Sequence, residues 1–144
     1  MESWYTDARR QQTLLAGATG VSQVARQYRH IVVERKGDVF CVRLRKLQLE
    51  EHELYALAEE LLSLISEQSC RKMAFSLGPQ PPNCLYSVFL AKLITVRRRM
   101  LEAGGALVLC DASPAVHGVF AACQLQDYFD FAPDTATAIE RLRP

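Results

Sequence analysis

Strand-like apolar runs alternate with amphipathic helical segments from about residue 30 onward, and this alternation is the feature that most limits how the chain can fold. The runs are short and rich in β-branched residues, whereas the longer segments repeat apolar residues at intervals of three and four, as helices do. Gly37-Asp38 separates the first two runs and fits a hairpin turn. The predicted segments are strands at 30–35, 39–44, 72–77, 106–110 and 128–131, and helices at 50–68, from 84 or 87 to 103, from 113 and from 133.

In chain order these segments give β-β-α-β-α-β-α-β-α, which predicts an α/β fold with a mixed, mostly parallel sheet and packed helices. A strand that is followed by a helix and then by another strand normally crosses over right-handed to a parallel neighbour. The opening hairpin adds one antiparallel pair. The two longest helices each carry an apolar stripe, which we expect to pack on the sheet.

The length of 144 residues favours one domain with one hydrophobic core. The first 28 residues are polar and mixed, with an Ala/Gly/Thr patch at 16–20 and a weak apolar pattern. We therefore predict an N-terminal extension over 1–28, followed by a single folded domain over 29–144.

The composition argues against several function classes. The formal net charge is +1 and the basic residues are scattered, so no strong field draws the chain to nucleic acid or to a membrane surface. No apolar run approaches the roughly 18 residues that a membrane span needs, and residues 1–7 do not resemble a signal peptide. The five cysteines form no C-x-x-C pair and are typical of reduced thiols in a cytosolic protein. We expect a cytoplasmic protein with no nucleic-acid partner and no membrane insertion.

The sequence also lacks the residue patterns that carry common catalysis or cofactor binding. It contains no G-x-x-x-x-G-K-S/T, no G-x-G-x-x-G and no G-x-S-x-G. His30, His52 and His117 lie on separate predicted elements without metal-ligand spacing. Asp111 and Asp134 stand at loop and helix starts, where capping explains a carboxylate best. The sequence predicts no catalytic residue, no metal ligand and no cofactor, and we expect a protein that is not an enzyme.

The C-terminal half combines several short motifs that are weak singly and specific together. Over about residues 30–142 the sequence resembles the STAS domain, the small α/β interaction module of bacterial anti-sigma factor antagonists. The motifs are the helix 90–103, the turn Gly104-Gly105, the apolar strand 106–110, the helix start Ser113-Pro114-Ala115-Val116 and the L-x-x-x-F segment at 125–129.

The resemblance implies a partner-binding protein of signal transduction and transcription regulation. Members of this family bind an anti-sigma factor, often a serine/threonine kinase, and so release a sigma factor. The kinase phosphorylates a serine or threonine at the start of the second helix and thereby dissolves the complex. A helix N-terminus tolerates the phosphate because it presents free N–H groups, and a charge of roughly −1.5 to −2 in a packed interface can expel a partner.

The sequence departs from the family at its phosphoacceptor motif, D-S-S/T-G. Counted back from the double glycine, the motif falls on Tyr86-Ser87-Val88-Phe89, so the usual acceptor position is Val88, which has no hydroxyl. Ser87, one residue earlier, is the candidate phosphoacceptor; the other interpretation is that Ser87 only caps the helix. The predicted partner-binding residues are Asn83, Tyr86, Ser87, Val88 and Phe89. Tyr86 or Phe89 would face outward and anchor the partner.

Two alternatives to a switch that binds an anti-sigma factor or kinase-type regulator stay open. The chain could be a structural STAS subunit of a larger complex, for example one for lipid transport, in which the phosphoswitch is lost. It could also bind a small molecule or a nucleotide in a pocket at the strand ends. Phosphate uptake in a kinase reaction separates the switch from the scaffold, and ligand-induced thermal shifts would expose the binder.

Overall fold

The computed structural model describes residues 28–45, 49–78 and 87–143. Its elements follow one another in the predicted order, which confirms the predicted α/β fold. They are β1 Ile31–Lys36, β2 Val39–Leu44, α1 Glu51–Glu67, β3 Lys72–Ser76, α2 Ser87–Glu102, β4 Ala106–Cys110, α3 Pro114–Ala122, β5 Asp130–Ala132 and α4 Thr135–Leu142.

The strands form one sheet in the order β1-β2-β3-β4-β5. β1 and β2 pair antiparallel, and every other pair of neighbours is parallel. The register aligns Phe40 with Met73 and Met73 with Leu107. Because β2 to β5 run in the same direction, their carboxyl ends meet at one edge of the sheet. We call this the carboxyl edge, and all four helices begin near it because each follows one of these strands.

The main core lies on one face of the sheet, beneath α1, α2 and α3. Alternate strand residues point to this face, and the apolar stripes of the helices pack against them, as predicted. Leu61 of α1, Leu93 of α2 and Phe120 of α3 are all at most 1% exposed. They belong to the same cluster as Phe75 and Leu109 of the central strands.

Helix α4 packs on the opposite face of the sheet. Its buried residues Ala138, Ile139 and Leu142 form a second apolar cluster with small strand residues, including Ala74 and Val108. The small side chains let α4 approach the central strands closely. The sheet is therefore covered by three helices on one face and, within the described residues, by one helix on the other.

A buried glutamate fixes the start of the first strand. Glu60 of α1 is 8% exposed, and its carboxylate accepts hydrogen bonds from the backbone N–H groups of Arg29, at 2.8 Å, and His30, at 2.9 Å. Tyr28 is 3% exposed and belongs to the main core. Tyr28, the last residue of the predicted extension, thus packs with the folded domain, and the rest of that extension, 1–27, lies outside the described residues.

The last strand, β5, begins two residues later than the sequence predicts. The backbone N–H of Leu125 donates to the carbonyl oxygen of Phe120 at 2.8 Å, and that of Tyr128 donates to Leu125 at 3.0 Å. The chain therefore still turns where alternation suggested a strand. This turn places Phe129 edge-on against Phe120, with ring centres 5.6 Å apart.

Candidate partner-binding site

Helix α2 begins at Ser87, and this candidate phosphoacceptor is exposed. Since α2 follows β3, its N-terminus lies near the carboxyl edge. The first turn of α2 carries no acidic side chain, so no carboxylate of that turn offsets the positive end of the helix dipole. An anion attached at Ser87 would meet a favourable field.

The residues that the sequence proposes as partner contacts do not all lie at the surface. Phe89 is 1% exposed and lies in the main core, so it is corrected from a partner contact to a residue that holds α2 on the sheet. Val88 is half-buried and packs at the margin of the same core. Asn83 and Tyr86 lie outside the described residues. Ser87 and part of Val88 therefore face solvent.

An exposed aromatic side chain on α1 lies beside this helix. Tyr55 is 50% exposed, and the Nζ atom of Lys92 lies 4.2 Å from the centre of its ring, a cation–π contact. Lys92 follows Val88 by one helical turn, and the exposed Ala91 follows Ser87 by one turn. We call Tyr55, Ser87, Val88, Ala91 and Lys92 the helix-start surface.

Sequence reasoning missed Tyr55 and its contact with α2. Tyr55 lies off the buried stripe that includes Leu54, Leu57 and Leu61, and an aromatic residue off such a stripe is the signal that could have found it. That signal is weak alone, because single exposed apolar residues are common. Tyr55 becomes a candidate partner contact because the fold places α1 next to α2.

The two aspartates that were interpreted as capping residues have different roles. The Asp134 carboxylate caps α4 by accepting from the backbone N–H of Thr137 at 2.8 Å, and this bond lowers the pKa of Asp134. The cap of α3 is Ser113, whose hydroxyl oxygen accepts from Val116 N–H at 3.2 Å. Capping is thus confirmed for Asp134 and wrong for Asp111, whose partners lie on other elements.

Two buried thiols are poor nucleophiles. Burial raises the pKa of the Cys70 thiol to about 12 and that of Cys110 to about 11, so both are protonated at neutral pH. In the part of the chain that the structure describes, no group of three or more His, Cys, Asp or Glu residues is placed to hold a metal ion. No helix in the same part has the length and apolar character needed to cross a membrane.

Several solved structures share this arrangement of strands and helices. A protein assigned as an anti-sigma factor antagonist, from Thermotoga maritima, matches with a TM-score of 0.68 at 16% identity, over 79% of this chain and 95% of that one. An anti-sigma factor antagonist (STAS) domain protein from Planctomyces limnophilus matches with a TM-score of 0.67 at 20% identity, over 78% and 97% of the two chains. This chain has the STAS fold. The phosphorylated form of SpoIIAA, a Bacillus cell fate determinant, also matches, with a TM-score of 0.59 at 18% identity, over 78% and 99%.

The STAS fold of this chain is evident in its structure and not in its overall sequence. No family model and no curated protein sequence matches it. The resemblance that the short motifs suggest is therefore confirmed at the level of the fold. The match covers the two solved STAS structures almost to their full length, 95% and 97%.

Proposed function

We propose that the chain is a non-enzymatic interaction module that resembles an anti-sigma factor antagonist. Its partner is an anti-sigma factor or a serine/threonine kinase-type regulator, bound through the helix-start surface. The observation that carries the proposal is the exposed Ser87 at the first position of α2, the helix whose Lys92 contacts the exposed Tyr55. Solved structures with the same fold support it, because they include anti-sigma factor antagonists and a phosphorylated form.

The helix-start surface has the chemistry of a binding anchor. Tyr55 offers a large amphipathic ring, and its contact with Lys92 holds the ring in place before binding, which reduces the entropy that a partner must overcome. Val88, one turn before Lys92, and Ala91, directly before it, add small apolar surface on α2. Tyrosine is among the residues that most often dominate interface energies, and we expect Tyr55→Ala to weaken partner binding at least about tenfold.

Ser87 would act as the switch of this surface. Phosphorylation there adds roughly −1.5 to −2 charges, which the positive end of α2 tolerates in the free protein. In the complex the same charge would lie against the partner and lose its hydration. The phosphorylated protein therefore stays folded and releases the partner.

The test is a kinase and binding assay with purified anti-sigma factor kinases of the source organism. We expect phosphate on Ser87, loss of at least about tenfold in affinity for Ser87→Asp, and retained binding without release for Ser87→Ala. Ser66→Asp is the matched control, because Ser66 is exposed near the C-terminal end of α1, away from the helix starts. Equal effects of the two aspartates on binding would refute a specific role of Ser87.

A scaffold without a phosphoswitch is the second candidate, because the usual acceptor position holds Val88, which is half-buried and has no hydroxyl. In that case Tyr55→Ala would still weaken the complex, whereas no kinase would label Ser87. Phosphate uptake at Ser87 therefore separates a switch from a scaffold, whereas Tyr55→Ala tests the binding surface in both cases.

A further inference from the structure

A cavity of about 360 Å³ opens on the face of the sheet that carries α4, away from the helix-start surface. It lies near the carboxyl edge, between the start of α4 and the strands β1 and β2. Val32 and Ala74 supply apolar wall, and three charged residues line it: Glu34, Arg43 and Asp111. The volume is within the usual range for small-molecule sites, and open α/β sheets commonly bind ligands at this edge.

Asp111 is held in place by hydrogen bonds from two other lining residues of this cavity. Its Oδ2 atom accepts hydrogen bonds from the hydroxyls of Ser76, at 2.6 Å, and Thr135, at 3.0 Å. Its backbone has a φ of 60°, which non-glycine residues adopt at a cost and aspartate tolerates better than most. Both hydroxyl protons point to one carboxylate oxygen, and no described residue donates a hydrogen bond to Oδ1. That second oxygen is free to accept a proton donor from a bound molecule.

The charged residues of the cavity alternate in sign across the sheet. Glu34 lies on β1 and Arg43 on β2, whereas Asp111 directly follows β4. With strands about 4.8 Å apart, β1 and β4 are separated by roughly 14 Å, and Arg43 lies between the two carboxylates. Within the described ranges neither Glu34 nor Asp111 has an ion-pair partner. The three lining charges sum to −1.

We propose that this cavity binds a basic α-amino acid, a ligand whose charges complement all three. The α-ammonium group would donate to Asp111, the carboxylate would lie at Arg43, and the cationic side chain would reach toward Glu34. Arg43 has contacts of its own, but a guanidinium has five N–H donors and can serve a ligand as well. A nucleotide fits less well, because its phosphates would face two carboxylates. The site does not depend on the proposed partner, since it lies on the other face of the sheet.

The test is calorimetric titration of the full chain with L-lysine and with L-norleucine, which has the same carbon chain without the side-chain amine. We expect one lysine per chain and an affinity about fivefold weaker for norleucine, because a partly exposed ion pair contributes up to about 1 kcal/mol. Glu34→Gln should lower lysine affinity to that of norleucine and leave norleucine unchanged. Asp111→Asn should weaken both ligands about tenfold or more, since a hydrogen bond to a charged group is lost.

Glu59→Gln is the matched control, because Glu59 is an exposed glutamate of α1 on the other face of the sheet. It should leave both affinities unchanged. Asparagine keeps the shape of Asp111 and also tolerates its backbone conformation. Should the Asp111→Asn variant fail to fold, Glu34→Gln, on the exposed part of β1, still tests the proposal. Absence of lysine binding, equal binding of lysine and norleucine, or an unchanged preference in Glu34→Gln would overturn the proposal.

Discussion

Truncation of Leu93 to alanine tests whether α2 packs on the sheet as tightly as the structure shows. Leu93 is 1% exposed in the main core. The change removes three carbon groups, which is about 2.4 kcal/mol of transfer free energy at about 0.8 kcal/mol for each. Other residues of the same core cluster, among them Leu61 and Phe75, belong to other elements that cannot fully close the space. A cavity contribution therefore adds, and the expected loss of unfolding free energy is about 3–4 kcal/mol.

Urea unfolding followed by circular dichroism measures this loss, and the melting temperature should fall by about 10 °C for a chain of this size. Leu101→Ala is the control, because Leu101 is on the same helix but 50% exposed. Its cost should stay below about 0.5 kcal/mol. A Leu93→Ala cost as small as that of Leu101→Ala would refute the packing of α2 described above.

Three further predictions use the same methods or simple chemistry. Gly105→Ala should destabilise the protein by about 1–3 kcal/mol, because a Cβ there would collide with the carbonyl oxygen of Arg71. Gly118→Ala lies in a helix, where the added Cβ meets nothing within 4 Å, and should stabilise the protein by up to about 1 kcal/mol. Changes of the same sign in the free energy of unfolding, measured in urea, would contradict this account. A chain that starts at Tyr28 should still melt cooperatively, and loss of the transition would show that the predicted extension is needed for folding. Iodoacetamide should label the exposed Cys123 of the native protein well before Cys70, whose pKa burial raises to about 12; peptide mapping that finds Cys70 labelled as fast would contradict its burial.

The candidate site was only partly predictable from the sequence. The start of a helix at Ser87 follows from the apolar stripe of α2 and from the motifs that resemble a STAS domain. The sequence did not determine whether Phe89 faces the core or the solvent, because it does not show how much of the circumference of α2 is buried. The pairing of Tyr55 with Lys92 was missed, since nothing in either local pattern reports that α1 and α2 are neighbours.

The sequence by itself determined the type and order of the elements, because the spacing of apolar residues and the residues at helix ends act over only a few positions. It also limited the sheet to a mostly parallel one, since each crossover from strand to helix to strand allows few arrangements. Only the tertiary structure brought Ser76 and Thr135, which are 35 and 24 residues away from Asp111, onto one carboxylate oxygen. Contacts of this kind depend on the order of the strands and on which face each helix covers, and these are fixed by the packing of the whole chain and not by any local segment.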